Sequence, residues 1–138
     1  MGVREYKPSF YKDTNHFKYR YNYKVDYEDG ENLSKIIDKY SKYDPVLIMY
    51  YSMTYNIINN KDINYFDVFL YGNHGYNGTN KMISRIDKMS NQYFLINMDE
   101  YNAARSGYSQ FNDEIVDYII SVSDLVESYG RINVYYKE

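Results

Sequence analysis

Three short apolar runs, at residues 46–51, 67–71 and 93–98, place the tightest constraint on the fold of this chain. Each is five or six residues long and consists mainly of aliphatic and aromatic residues. Such runs are typical of strands that are buried on both faces of a parallel sheet. Apolar residues at helical spacing precede the first run, separate the second from the third and follow the third. Alternating strands and helices predict an α/β fold.

The order of these elements predicts a small Rossmann-like three-layer domain with a mostly parallel sheet. Residues 125–129 and the alternating segment 132–136 flank Gly130-Arg131, and they predict a C-terminal antiparallel hairpin. We expect loops at 52–64, with one helical turn as an alternative, and at 99–107. Thr79 and Asn112 are the predicted N-caps of the helices that follow them. The predicted core consists of Ile36, Ile37, Leu47, Ile48, Val68, Leu70, Ile83, Ile86, Leu95, Ile115 and Ile119.

The N-terminal segment differs from the rest of the chain in charge and in pattern. Residues 1–24 carry six Lys or Arg against two acidic residues, whereas the whole chain has a net charge of −3. Aromatic or Val residues occupy every second position of 17–27, which predicts a strand with one wet face. The sequence therefore predicts a basic, aromatic segment at 1–28, with its strand at 17–27, followed by a single α/β domain at 29–138.

Composition excludes several classes of site and partner. Cysteine is absent, which excludes disulfides, thiolate zinc sites and cysteine nucleophiles. The negative net charge and the pI near 5.4 argue against nucleic acid as a partner. No apolar stretch approaches the ~18 residues of a membrane span. We therefore expect membrane contact only through a transmembrane part that this sequence lacks.

The segment 72–79 is the first candidate ligand loop, because it follows an apolar run, opens a helix and contains three glycines. Ligands of open α/β sheets bind at the carboxyl ends of strands, and helix N-termini offer N–H groups to anions. The glycine spacing does not match the dinucleotide fingerprint, and Lys81 is not where a P-loop lysine lies. An ordinary turn that uses Gly and Asn for positive φ is the alternative.

Asp99 and Glu100 follow the third apolar run, so we expect them at the same edge of the sheet as the first loop. Tyr76, Tyr101 or Tyr108 would provide a ring on which a ligand stacks. No general base has an evident partner, and no metal-ligand spacing is present, so we predict no catalytic residue, metal or cofactor. The predicted ligand-binding residues are Asn73, His74, Tyr76, Asn77, Thr79, Asp99, Glu100 and Tyr101.

The apolar pattern of residues 33–137 is carried by the segments 43–48, 67–71, 93–96, 110–119 and 130–137. It resembles the soluble domain that follows the last transmembrane helix in many bacterial multi-pass membrane glycosyltransferase-like proteins. The resemblance implies an accessory domain without catalysis of its own, because in such enzymes the catalytic acids lie in the membrane part. It also implies a glycan or lipid-linked sugar as partner, and a location on the extracytoplasmic face of a bacterial membrane.

Three functions therefore remain open. The first is a non-catalytic accessory or binding domain, as the soluble part of a membrane glycosyltransferase-like protein. The alternative is a standalone small binding or inhibitor protein of phage or plasmid type. It would be cytoplasmic and would present an acidic surface, rich in the chain's 21 tyrosines, to a protein partner. The third is a small enzyme that binds a nucleotide or sugar phosphate at 72–79.

Overall fold

The computed structural model of the chain describes residues 34–50, 52–58, 60–62, 66 and 75–138. These residues form helices and a sheet, so the predicted α/β class is confirmed. The predicted segment 1–28 and the predicted strand at 67–71 lie outside the described residues. So do the candidate ligand residues Asn73 and His74.

In chain order the elements are α1 at residues 34–40, a 3-10 turn at Ser41–Tyr43, β1 at Val46–Ile48, α2 at Ser52–Ile58, α3 at Gly78–Asp87, β2 at Gln92–Asn97, α4 at Met98–Arg105, α5 at Asp113–Val122, β3 at Asp124–Tyr129 and β4 at Ile132–Lys137. Within the described ranges, none of the helices has the length and apolar character needed to cross a membrane.

The four described strands form one mixed sheet in the order β1-β2-β4-β3. β1 and β2 are parallel, whereas β2 with β4 and β4 with β3 are antiparallel. The sequence had predicted a mostly parallel sheet, and for the described strands that prediction is wrong. The reason is that the C-terminal hairpin, which is confirmed, inserts β4 against the whole length of β2, from Gln92 opposite Lys137 to Asn97 opposite Ile132.

Both faces of the sheet are covered by helices. The alternation of β2 sends Phe94 and Ile96 into a cluster with α3, α4 and α5, and sends Leu95 into a cluster with α1. Most of the predicted core is confirmed as buried, namely Ile36, Ile37, Leu47, Ile48, Ile86, Leu95, Ile115 and Ile119. Ile83 is only half-buried, and Val68 and Leu70 lie outside the described residues.

The segment 99–107 is a helix over most of its length, and the prediction of a loop there is wrong. α4 begins directly after β2, because the Asn97 side chain accepts hydrogen bonds from the backbone N–H groups of Asp99 (3.1 Å) and Glu100 (3.2 Å). These two acidic residues lie in the first turn and Arg105 lies in the last, which is the favourable arrangement for the helix dipole.

The predicted loop at 52–64 likewise contains a helix, α2, which is about two turns long. Among the side chains of this helix that the structure describes, the buried ones are the polar Ser52 and Asn56, spaced i, i+4, which apolar periodicity does not indicate. The helix ends in a Schellman motif: Lys61 N–H donates to the Asn56 carbonyl at 2.8 Å, and Asn60 N–H donates to that of Ile57 at 3.2 Å.

The two predicted N-caps have different outcomes. Asn112 caps α5 as predicted, since its side-chain oxygen accepts from Ile115 N–H at 3.4 Å. Thr79 lies inside α3, and the cap is Asn77, whose φ of 55° places it in the left-handed region that Asn tolerates.

Replacing Leu95 with Ala tests whether β2 is the central strand. Leu95 is fully buried, so Leu95→Ala is expected to lower the free energy of unfolding by about 2–5 kcal/mol in urea denaturation. The matched control is Leu125→Ala on the edge strand β3, where the side chain is 55% exposed and the change should stay within about 0.5 kcal/mol. Equal effects of the two substitutions would contradict the two-sided burial of β2.

Candidate functional site

Four tyrosines from separate parts of the chain form one group, here called the tyrosine cluster: Tyr40, Tyr43, Tyr93 and Tyr136. They come from α1, the 3-10 turn, the start of β2 and the end of β4. The antiparallel register sets Tyr93 directly opposite Tyr136, with ring centroids 4.7 Å apart. Apolar patterning did not indicate the cluster, because it does not tell that β4 pairs with β2 or that α1 packs beside that pair.

Tyr93 is the centre of the cluster. Its ring centroid lies 4.9 Å from that of Tyr43 and 5.1 Å from that of Tyr40. The three rings around Tyr93 are tilted against it by 33–46°. These distances lie within the range at which aromatic pairs attract each other beyond simple burial. The rings therefore support one another in fixed positions.

Exposure rises across the cluster from one end to the other. Tyr40 is buried, with 6% of its surface exposed, whereas Tyr43 is 46% exposed. The Lys42 ammonium lies 4.9 Å from the centre of the Tyr43 ring. On the other side, the Tyr136 hydroxyl donates to the Asn91 side-chain oxygen at 2.8 Å. The cluster thus presents an aromatic ring next to a cation at its open end.

Glu127 on β3 anchors the buried end of the cluster. The Tyr40 hydroxyl donates to Glu127 Oε2 at 2.5 Å, and Lys39 Nζ donates to the same oxygen at 2.7 Å. Burial and the hydrogen bond to Glu127 raise the pKa of Tyr40 well above its usual range. The hydrogen bonds from Lys39 and Tyr40 lower the pKa of the Glu127 carboxyl. Tyr40 therefore remains a protonated donor and Glu127 a charged acceptor at neutral pH.

The candidate residues of the first loop lie at the start of α3. Tyr76 is 93% exposed, and its neighbour Asn77 accepts a hydrogen bond from Asn80 Nδ2 at 2.7 Å. Thr79 Oγ1 accepts from Asn112 Nδ2 at 3.1 Å, which ties the start of α3 to the start of α5. This hydrogen bond joins the loop to residue 112, and proximity of the loop to the segment 99–107 stays a prediction. Ligand binding by these residues stays a prediction.

The candidate residues of the second loop make contacts within the fold. Asp99 pairs with Arg131 Nε at 3.0 Å, and Glu100 Oε2 accepts from Tyr50 N–H at 2.9 Å. Glu100 thereby links the carboxyl ends of the parallel strands β1 and β2. Whether Asp99 and Glu100 also bind a ligand stays a prediction.

Tyr101, the third candidate of this segment, packs into the core. Its hydroxyl donates to Asp117 and accepts from Arg105 Nη1 at 2.8 Å. Burial raises the pKa of its phenol, as does the hydrogen bond to Asp117. Only 5% of the residue is exposed, so its ring offers little surface for stacking in this conformation.

Within the described ranges, no three His, Cys, Asp or Glu side chains are grouped so that they could hold a metal ion. Comparison with protein-family models finds no match, and the same holds for comparisons with curated proteins and with solved structures. The resemblance to glycosyltransferase-like domains therefore stays a prediction.

The anchoring role of Glu127 predicts a specific pH dependence. The pKa of Glu127 is lower in the folded state than in the unfolded state. Its contribution to the free energy of unfolding is therefore complete above the unfolded-state pKa of about 4.3, and it is lost as the pH falls through the folded-state pKa. Glu127→Gln should therefore destabilise the protein at neutral pH and flatten its loss of stability in acid. Urea unfolding between about pH 7 and pH 3 measures both effects. Glu138→Gln, which removes an exposed carboxylate, should retain the wild-type dependence of the free energy of unfolding on pH. The same dependence in Glu127→Gln would contradict the anchoring role of Glu127.

Proposed function

We propose that this chain is a non-catalytic binding domain that holds a glycan on its tyrosine cluster. The observation that carries the proposal is the half-exposed Tyr43 ring, supported from behind by Tyr93. The C–H face of a sugar ring is apolar and packs on an aromatic face, while its hydroxyl groups remain available for polar partners. Tyrosine suits such a role because it combines a large apolar ring with a polar tip.

The cluster is organised before a ligand arrives. Tyr93 is held between its neighbours, Tyr136 is fixed by Asn91, and Tyr40 is fixed by Glu127. A ligand therefore orders few side chains when it binds, which reduces the entropic cost of association. The Lys42 ammonium, which lies over the Tyr43 ring, supplies hydrogen-bond donors for sugar hydroxyls or for an acidic substituent.

The proposal assigns the cluster no catalytic step. Tyr40, whose pKa is raised by burial and by Glu127, serves as a fixed donor within the protein and does not take up a proton from a ligand. The other rings contribute packing surface. Binding without chemistry is also what the resemblance to the soluble domains of glycosyltransferase-like proteins implies.

In its larger setting, the chain acts as the accessory part of a membrane glycosyltransferase-like protein and retains a glycan or lipid-linked sugar near its catalytic part. We further propose that the domain has a Rossmann-like three-layer arrangement, with further parallel strands in its sheet. The helices on both faces of the described sheet support layering, and the apolar pattern of 33–137 supports the setting. Transmembrane segments encoded upstream in the same reading frame are the expected finding, and a reading frame without them would overturn this setting.

A protein partner is the second candidate, and Tyr76 and Tyr108 favour it. They are 93% and 88% exposed, and tyrosine is enriched in protein interfaces. The glycan titration described next separates the two candidates, because a purely protein-facing domain would bind no member of a glycan panel.

Truncating Tyr43 tests the glycan proposal directly. With a panel of cello-, chito- and chitosan oligosaccharides, Tyr43→Ala should weaken binding about tenfold, the scale of one stacked aromatic contact of about 1.4 kcal/mol. Tyr76→Ala is the matched control, since it removes an even more exposed tyrosine outside the cluster and should leave the affinity unchanged. Calorimetric titration measures both.

Two results would contradict the proposal. One is that no oligosaccharide of the panel binds the wild-type chain. The other is that Tyr43→Ala and Tyr76→Ala reduce the affinity equally, which would place binding outside the tyrosine cluster. Unfolding curves of both variants verify that the substitutions leave the fold intact.

A further inference from the structure

A cleft of about 450 Å³ lies beside the tyrosine cluster, between α1, β1 and the residues that follow α2. Its volume is in the range of small-molecule binding sites. Five polar and three apolar residues line it: Ile37, Asp44, Pro45, Leu47, Asn56, Asn60, Lys61 and Asp62.

Two residues with a left-handed backbone conformation, Asp44 and Asn60, line the cleft. Asp44 has a φ of 49° and ends the 3-10 turn with a hydrogen bond from its N–H to the Ser41 carbonyl. Asn60 has a φ of 56° and belongs to the Schellman motif that ends α2. Asp and Asn accept this conformation better than most residues. The backbone of the cleft is therefore set by local turn chemistry.

The lining combines buried apolar residues with a charged rim. Ile37 and Leu47 are buried residues of the core, and Asn56 is buried with 6% of its surface exposed. The rim carries Asp44, Lys61 and Asp62. Among the residues that the structure describes, none of these three side chains is in an ion pair. Two carboxylates against one ammonium give the rim a net negative charge.

The cleft adjoins the open end of the tyrosine cluster. Asp44 directly follows Tyr43, and its carbonyl accepts a hydrogen bond from Gln92 Nε2 at 3.3 Å, next to Tyr93. A chain of linked sugars that packs on Tyr43 would therefore have its next unit close to the rim of the cleft.

We propose that the cleft binds a sugar unit that carries a free amine, as part of the glycan held by the tyrosine cluster. The inference rests on the proposed function and specifies its ligand. Asp44 and Asp62 attract the ammonium group, while the side-chain amide of Asn60 bonds to hydroxyl groups. Among the apolar lining residues, the half-buried Pro45 packs against the C–H face of the ring. An acidic sugar is disfavoured by the two carboxylates.

The test titrates the full chain with glucosamine, N-acetylglucosamine and glucose, and with the chitosan hexamer. Asp44→Asn and Asp62→Asn remove one rim charge each and retain side-chain size. Asn is tolerated at the left-handed position 44. Asp38→Asn is the matched control, because it removes an exposed carboxylate of α1 that does not line the cleft.

Glucosamine is expected to bind about fivefold more tightly than the two sugars without a free amine, the scale of an ion pair at a partly exposed site. Each rim variant should remove most of this preference, and Asp38→Asn should retain it. Equal affinities for the three sugars, or a preference that survives both rim variants, would overturn the inference.

Tyr43→Ala separates this inference from the function on which it rests. If Tyr43→Ala loses affinity for the hexamer and the wild-type chain does not prefer glucosamine, the tyrosine cluster is supported as the glycan surface and the amine site in the cleft is refuted. An amine preference that depends on Asp44 and Asp62, with hexamer affinity unchanged in Tyr43→Ala, supports the amine site and refutes the cluster as the glycan surface.

Discussion

Burial of β2 on both faces is the constraint on which the rest of this structure depends. Phe94, Leu95 and Ile96 are all fully buried, so apolar elements must cover both sides of the strand. α1 covers one side, and α3, α4 and α5 cover the other. β2 also pairs along both of its edges, with β1 and with β4. Its register with β4 then determines which side chains meet at the start of the strand.

The tyrosine cluster is a consequence of that register. Tyr93 meets Tyr136 across the sheet and meets Tyr43 from the turn after α1, so the open rings gather near the amino end of β2. At the carboxyl end, Glu100 caps the backbone of Tyr50, and Asn97 caps α4. Glu100 and Asn97 thus have partners within the fold, whereas the amino end presents an aromatic surface with an adjoining polar cleft.

Apolar patterning was sufficient to predict a strand that begins at Val46, the strand β2, the C-terminal hairpin and most of the core, because the apolar residues of β1, β2 and β4 are largely the ones that the fold buries. It did not predict α2, in which the buried side chains that the structure describes are the polar Ser52 and Asn56. It also missed α4, although Asn97, with acidic residues two and three positions later, is a typical N-cap sequence. Apolar patterning could not predict the tyrosine cluster, because periodicity does not tell which strand pairs with β2 or whether the pair is parallel.

The central claim is that a sugar packs on the rings of the tyrosine cluster, and saturation-transfer NMR tests it most directly. Irradiation of the tyrosine aromatic protons should transfer magnetisation to the C–H protons on one face of a bound chitosan oligosaccharide, since only protons within a few ångströms receive it. The account predicts a signal that is strong for the wild-type chain, persists in Tyr76→Ala and is largely lost in Tyr43→Ala. A signal of equal strength in the wild-type chain and Tyr43→Ala, or its loss in Tyr76→Ala alone, would contradict the account.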